Sequence, residues 1–370
     1  MRILVDAREA YRNITGIGRV VKNFCIYLSR LSDGAEYLFM PPNYLDEPAQ
    51  KQQKTWLRRF KNLLDLFWWR QFTIPTVAQK WQADLIFCAD SVCPFSTCLP
   101  VIIIVFDLLF FEFRQYDPFR GMYYRHLVPW SIKKASRIIT ISHASKQAII
   151  KKFGVPDDKI TVAYPGVANV FSKMPKKEAL ANIQKKYAVS SQFILFVGSL
   201  DNSRRNLDAL LSAFATLPSN VAQKLVVVGL FGYGHETILR RVADLNLQDR
   251  VIFTGFVPDE ELRWFYNAAD LFVYPSLGEG FGMTVLEAMA CGCPVICSNR
   301  TSLPEVVGDA GVLLADPTDP EELAAHMAEI LSAPDLRADL ARRSQERAQI
   351  FSWERSARRI QAVLKDSVMK

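Results

Sequence analysis

"DLFVYPSLGEGFGMTVLEAMACGCPVICS", residues 270–298, decides the fold. It opens on an apolar run, "DLFVYP" (270–275), of strand length. A glycine-rich turn follows, then a helical pattern over about 284–291, then a second apolar run, "PVICS" (294–298). Near-continuous apolar strands joined by a helix imply a parallel sheet covered on both faces. Two carboxylates sit in this unit, Glu279 in the turn and Glu287 inside the apolar helix. Charged side chains are seldom buried without a partner, so what these two bind is the first question.

The same alternation extends upstream. "FILFVG" (193–198), "KLVVVG" (224–229) and "RVIFTG" (250–255) read as strands, with helical patterns at about 205–216, 236–246 and 259–268. A first block carries "RILVD" (2–6), "ADLIFC" (83–88), "VIIIVF" (101–106) and "RIITIS" (137–142), with a glycine turn and helix in "TGIGRVVKNFCIYLSRL" (15–31). "HASKQAIIKKFG" (143–154) reads as a helix closed by a glycine, and "KITVAYPGV" (159–167) ends the block. The lysine-rich stretch 168–190 reads as a linker running into a helix. A chain of 370 residues exceeds one ordinary core. The pattern predicts an α/β protein of two doubly wound domains, 1–170 and 171–350, followed by an amphipathic helix over 351–370 with Ser352 as its N-cap. The ligand of such sheets lies outside the carboxyl ends of the strands, here in the cleft between the domains.

The composition, 50% hydrophobic and 22% charged, is that of a globular chain. A net charge of +7 suits an anionic partner without choosing one; nothing else favours nucleic acid. "MRILVDAREA" has acids at Asp6 and Glu9 and no signal-peptide core, and the longest apolar run (99–111) contains Asp107 and is too short to span a bilayer. The expectation is a cytoplasmic protein. The seven cysteines lack histidines at zinc-finger spacing and read as buried free thiols.

Nucleotide motifs are mostly absent. There is no P-loop. "GIGRVV" offers Gly16 and Gly18 but Val21 where the dinucleotide fingerprint wants glycine, and "GYGHET" offers Gly232 and Gly234 but Thr237. No D-x-D pair chelates a metal, so no metal or other cofactor is expected, and a diphosphate would need helix N-termini and cationic side chains. Eight residues of helix span about 12 Å, too far for a tight hydrolytic pair of carboxylates. One extended ligand with hydroxyls at both ends fits better, and a nucleotide sugar is such a molecule. Each glutamate can accept from a vicinal diol. Gly280 and Gly282 let amides approach the sugar, and the helix beginning near Thr284 aims its positive end at the diphosphate.

"GEGFGMTVLEAMACGCPVICSN" resembles the signature of the retaining glycosyltransferases of family 4, the group 1 transferases, whose GT-B fold sets two Rossmann-like domains about a central cleft. "TGIGRVVKNF", "RIITISHASKQ", "VGSLDNSRRNLDALLSAF", "VIFTGFVPDEEL", "LPEVVGDAG" and "FSWERSARRI" resemble further family segments in family order, covering nearly the whole chain. The resemblance implies that Glu279 holds donor-sugar hydroxyls with the amides of Phe281, Gly282 and Met283, and that Glu287 holds the ribose. It places Arg205, with Arg204, on the diphosphate, Gly16 and Gly18 near the phosphates, and the backbone near Phe256 at the base. Two departures stand out. Phe106-Asp107 replaces the family's His-Asp, which leaves Asp107 as the catalytic candidate there, and Ser199 replaces an arginine. The bland readings are a buried acid paired with an arginine for Glu287, a solvated turn for Glu279, helix-start surface charges for the arginines, turn glycines for Gly16 and Gly18, and a turn cap for Asp107.

"KQQKTWLRRFKNLLDLFWWR" (51–70) carries six cations and one acid, a net +5. At 100° per residue Trp56, Phe60, Leu63 and Phe67 share a face opposite Lys54, Arg58 and Lys61. That layout fits a helix lying in an anionic lipid surface; the alternative is a core-packing helix with a basic outer face. The resemblance as a whole implies a metal-independent retaining transferase. Bacterial polysaccharide mannosyltransferases point to GDP-mannose and a lipid-linked saccharide acceptor at the inner face of the cytoplasmic membrane. A UDP-linked glucose, galactose or N-acetylglucosamine donor is the alternative, as is a non-catalytic nucleotide-sugar sensor. The reading fails if Glu279 and Glu287 prove locked onto internal arginines.

Overall fold

A computed structural model of the protein describes residues 1–12, 16–31, 34–42, 56–113, 118–189, 192–200, 204–218, 221–232 and 235–368. The chain divides into two units, Met1–Gly166 with Ser352–Lys370, and Val167–Phe351.

The first unit holds a sheet of β1 (Arg2–Asp6), β2 (Glu36–Met40), β3 (Leu85–Cys88), β4 (Val101–Val105), β5 (Arg137–Thr140) and β6 (Ile160–Val162). Its order is β2-β1-β3-β4-β5-β6, parallel at every pairing. β4, "VIIIV", is buried at all five positions, as a central strand with helices on both faces must be. The edge strand β2 is not fully buried at any position. The helix Trp353–Val368 packs in this unit. Ser352 caps it, its hydroxyl accepting from Arg355 N at 3.1 Å. Trp353 meets the Phe24 ring edge-on at 5.5 Å, and Arg359 Nε donates to the Val162 carbonyl at 2.9 Å. All seven cysteines are free; six are buried, and Cys98 is exposed, against the expectation for it.

The strand order reverses between β1 and β3, and their carboxyl ends there carry Asp6 and the loop with Asp90. Arg70, from the π-helical turn Trp69–Thr73, fills that switch point at 0% exposure. Its guanidinium ion-pairs with Asp90 and lies 3.5 Å from Asp6 Oδ2 and 3.6 Å from Glu9 Oε1. Trp69 Nε1 donates to Asp6 Oδ1 at 2.9 Å, and the Tyr124 hydroxyl donates to Asp90 at 3.1 Å. The preceding helix, Trp56–Trp68, turns Leu63 and Phe67 against the core. For those two residues the core-packing alternative holds, and the lipid-surface reading does not. They belong to the packing face, and Leu64 and Trp68 stand exposed one position further round. Residues 51–55, and the side chains of 56–60, lie outside the described set.

The second unit holds β7 (Phe193–Val197), β8 (Lys224–Val228), β9 (Val251–Gly255), β10 (Leu271–Tyr274), β11 (Val295–Ser298) and β12 (Val312–Leu314). The order is β12-β11-β10-β7-β8-β9, again parallel throughout. Here the order reverses between β7 and β10. Ligands of doubly wound sheets bind at the carboxyl ends flanking such a reversal. Among the described residues no helix is long and apolar enough to cross a membrane.

Candidate active site

The loops leaving β7 and β10 deliver the charged residues to one place. β7 leads, through a loop whose residues 201–203 lie outside the described set, to Arg204, Arg205 and the helix Leu207–Ala215. β10 leads to Pro275 and the glycine turn bearing Glu279. The Glu279 carboxylate is gripped by both arginines: Arg205 Nη1 pairs with Oε1, and Arg204 Nη1 lies 3.0 Å from Oε2. Tyr274 and Ser276 hydroxyls add donors to Oε1 at 3.0 and 2.8 Å. Burial works against ionisation of Glu279, but Arg205 and Arg204 outweigh it and hold the carboxyl below the usual carboxylate range. Side-chain exposures of 10% for Glu279 and 17% for each arginine leave the trio reachable from solvent. The arginine pairing is the adverse outcome named from the sequence. It occurs at the switch point, however, on the two arginines assigned to the diphosphate. Two guanidiniums against one carboxylate leave the site a net +1, and each guanidinium has five N–H donors.

The turn is fixed from below. Arg204 Nη1 donates to the Gly278 carbonyl at 2.7 Å, and Leu277 N donates to the Arg204 carbonyl at 2.8 Å. The Ser302 hydroxyl bonds the Glu279 and Phe281 carbonyls at 2.8 and 2.9 Å. Thr301 Oγ1 accepts from Glu279 N at 2.9 Å. Gly282 precedes the helix Met283–Ala290 at φ +108°, and a Cβ there would come within 2.5 Å of Leu303 Cδ2. Gly282→Ala therefore combines left-handed strain with a clash against a buried leucine. It is expected to cost about 1–3 kcal/mol and to displace the Glu279 turn, read as a lower Tm together with lower turnover.

Glu287 sits on that helix at 1% exposure and accepts from the Tyr266 hydroxyl at 3.0 Å. It is thus more deeply buried than Glu279. Gly280 and Phe281 are buried in the turn, whereas Met283 and Thr284 are partly exposed at the helix start. Phe256 follows β9 at 51% exposure. In the first unit, Gly16 and Gly18 lie in the first turn of the helix Gly16–Ser29, Gly16 exposed and Gly18 buried. Asp107 Oδ1 accepts from Leu109 N at 3.0 Å, capping the turn Leu109–Phe111. Phe106 is 4% exposed, with its carbonyl bonded by Ser145 Oγ at 2.9 Å. The Phe106 side chain is thus turned inward.

A family profile described as Glycosyltransferase Family 4 matches residues 14–169, and one described as Glycosyl transferases group 1 matches residues 181–347. The chain belongs to the family 4, group 1 glycosyltransferases. An O-antigen chain mannosyltransferase B of Escherichia coli is 36% identical over 251 residues, covering 67% of this chain and 65% of that protein. The serotype-specific mannosyltransferase WbdA of Escherichia coli is 32% identical over 247 residues, 65% of this chain and 30% of that protein. The chain thus spans less than two thirds of the length of these relatives. The Anabaena protein HepE in complex with UDP and glucose superposes with a TM-score of 0.72 at 21% identity, over 99% of this chain and 100% of that one. That likeness is one of fold, and the fold class is GT-B.

In this family 4 protein several residues of the site escaped sequence reasoning. Tyr274, Ser276, Thr301 and Ser302 all bind the Glu279 turn. Asn206, at φ +55°, ties the arginine loop to the Pro275 and Pro317 carbonyls at 3.1 and 2.6 Å. Asn206 and Ser302, each standing directly before a helix start, carried a local signal.

Proposed function

We propose that this chain is a retaining, metal-independent glycosyltransferase. It moves mannose from GDP-mannose to a hydroxyl of a lipid-linked saccharide in cell-surface polysaccharide synthesis. The observation that carries the transferase reading is the Glu279–Arg204–Arg205 set at the β7/β10 switch point. The names of the two Escherichia coli relatives support mannose.

The chemistry follows from charge. The bond from the anomeric carbon to the diphosphate oxygen breaks, the acceptor oxygen bonds to that carbon on the same face, and the acceptor proton passes to the leaving diphosphate. Negative charge grows on the diphosphate, where Arg204 and Arg205 stabilise it. Glu279, with its remaining acceptor sites, orients the sugar hydroxyls, and the amides of Phe281, Gly282 and Met283 border the sugar. Glu287 shares its carboxylate between Tyr266 and the ribose. The backbone at Phe256 meets the base. Asp107 is positioned by its own turn for the acceptor side.

A bound nucleotide raises apparent stability by mass action, about 2.7 kcal/mol at a hundredfold excess over Kd. GDP is expected to raise the melting temperature more than UDP at equal concentration, and GDP-mannose to be consumed with acceptor in the presence of EDTA. A larger UDP shift, with turnover of UDP-sugars, would replace the mannose assignment. Binding without turnover of any donor in a panel of nucleotide sugars would make the protein a sensor.

A further inference from the structure

The first unit carries an exposed apolar face that its own packing does not use. Along the helix Trp56–Trp68 and the π-helical turn after it, Leu64, Trp68 and Phe72 are 44%, 58% and 50% exposed. They stand four residues apart, and the rings of Trp68 and Phe72 lie 4.3 Å apart, so they form one stripe. The π-helical turn sends Arg70 and Gln71 inward and leaves Phe72 outside. The helix is therefore clamped by a buried ion-pair cluster on one side while its other side offers bare tryptophan and phenylalanine.

The stripe continues onto a neighbouring helix. Gln71 Oε1 accepts from Phe95 N, and the Phe95 ring contacts Phe67 at 6.1 Å and Trp130 at 4.6 Å. Trp130 lies on the helix Pro118–Lys134, whose outward positions also include Met122, His126 and Lys133. Cations accompany this face. Lys61, Arg125 and Lys133 are exposed, and Lys134 Nζ lies 5.2 Å from the Trp130 ring centroid. Asp65 is the acid beside Leu64. Exposed tryptophans and phenylalanines rimmed by lysine and arginine suit the interface of an anionic bilayer, where an indole sits at headgroup depth and each cation finds a lipid phosphate.

We infer that Leu64, Trp68, Phe72 and Trp130 form the surface by which this chain docks on an anionic membrane. The occupant is a lipid surface, because the apolar stripe and the positive charge occur together on one face. The face differs from the Trp56/Phe60/Leu63/Phe67 face that periodicity picks out, since Leu63 and Phe67 belong to the core. It stands on its own geometry and rests on the transferase reading only for its purpose, which is to bring a lipid-linked acceptor within reach.

Co-sedimentation with vesicles tests it. The full chain is expected to partition onto phosphatidylcholine vesicles containing about 30% phosphatidylglycerol at least about tenfold more strongly than onto phosphatidylcholine alone, and to be released by high salt. Trp68→Ser/Phe72→Ser should weaken that binding by about tenfold or more with an unchanged thermal melt. Should that variant melt early, Lys61→Glu/Lys133→Glu, at exposed positions, should abolish the preference for phosphatidylglycerol. Binding that ignores lipid charge, or survives in both variants, overturns the proposal. So does a wild-type dimer in gel filtration that Trp68→Ser/Phe72→Ser dissolves, because the face then belongs to a second copy. Donor hydrolysis in vesicle-free buffer reports separately on the transferase reading.

Discussion

The Glu279→Gln variant is expected to lose about 10²–10³-fold in kcat, the scale seen when one preorganised polar group is removed from a reacting centre. The amide keeps the size of the side chain and its acceptor oxygen but gives up the charge between Arg204 and Arg205. Both arginines then have more freedom to hold the diphosphate, so the donor KM should stay level or fall while turnover drops. A purely structural role would instead lower stability and leave the turnover of folded enzyme near normal, which would remove Glu279 from the site. The pH dependence adds a second check. The folded-state pKa of Glu279 is depressed, so its contribution to stability is fully present above the unfolded carboxyl value of about 4.3. That contribution is lost as pH falls through the depressed value. Any stability advantage of wild type over Glu279→Gln should therefore be constant near neutrality and close only below about pH 4, as read by thermal melts across the acid range.

The elements legible in the sequence are those whose burial is uniform. β4, β7 and β10 are buried at every position and read as unbroken apolar runs. The edge strand β2, "EYLFM", and the three-residue β12 have no such signature, and neither was read as a strand. The helix Pro118–Lys134 was also unread; it carries Pro129 inside and has no clean apolar stripe. Around Leu63–Trp69 nearly every residue is apolar, so periodicity could not choose between neighbouring faces, and only packing against the core decided it. In the site, Glu279 was legible because charge next to glycines violates the local pattern, whereas Arg204 and Arg205 were placed through the family resemblance. Thr301 was not legible. A hydroxyl in a turn is ordinary, and its bond to a residue 22 positions away leaves no local trace.

The two sheets use their switch points in opposite ways. At β7/β10 two arginines face one carboxylate, and the surplus charge is positive. At β1/β3 the three carboxylates of Asp6, Glu9 and Asp90 surround one guanidinium, a net −2 when all are ionised. A nucleotide diphosphate is attracted to the first and repelled by the second. Both units are parallel doubly wound sheets of six strands, though their strand orders differ. The sign of a few side chains at equivalent strand ends is enough to send an anionic ligand to one of them, and Arg70 closes the other from within.

Arg70→Met is accordingly expected to be the most destabilising single change in the first unit, at about 3–5 kcal/mol, the cost of breaking a buried ion pair from one side. Methionine fills much of the same volume, so the loss reports charge rather than a cavity. The fall in melting temperature should be on the order of 10 °C for a unit of this size, and calorimetry would read it. Arg70→Lys should recover only part, because one ammonium cannot meet Asp6, Glu9 and Asp90 from a single forked group. The pH profile distinguishes this cause from simple misfolding. Without the guanidinium, three buried carboxylates repel one another, and folding of the variant takes up protons that wild type does not need. Stability of a state that binds extra protons rises as pH falls. Arg70→Met should therefore regain stability between about pH 7 and pH 5, a window in which wild type changes little. A variant that stays equally unstable across that range would show that Arg70 supports the unit by packing alone, and the electrostatic account of the β1/β3 switch point would fall with it.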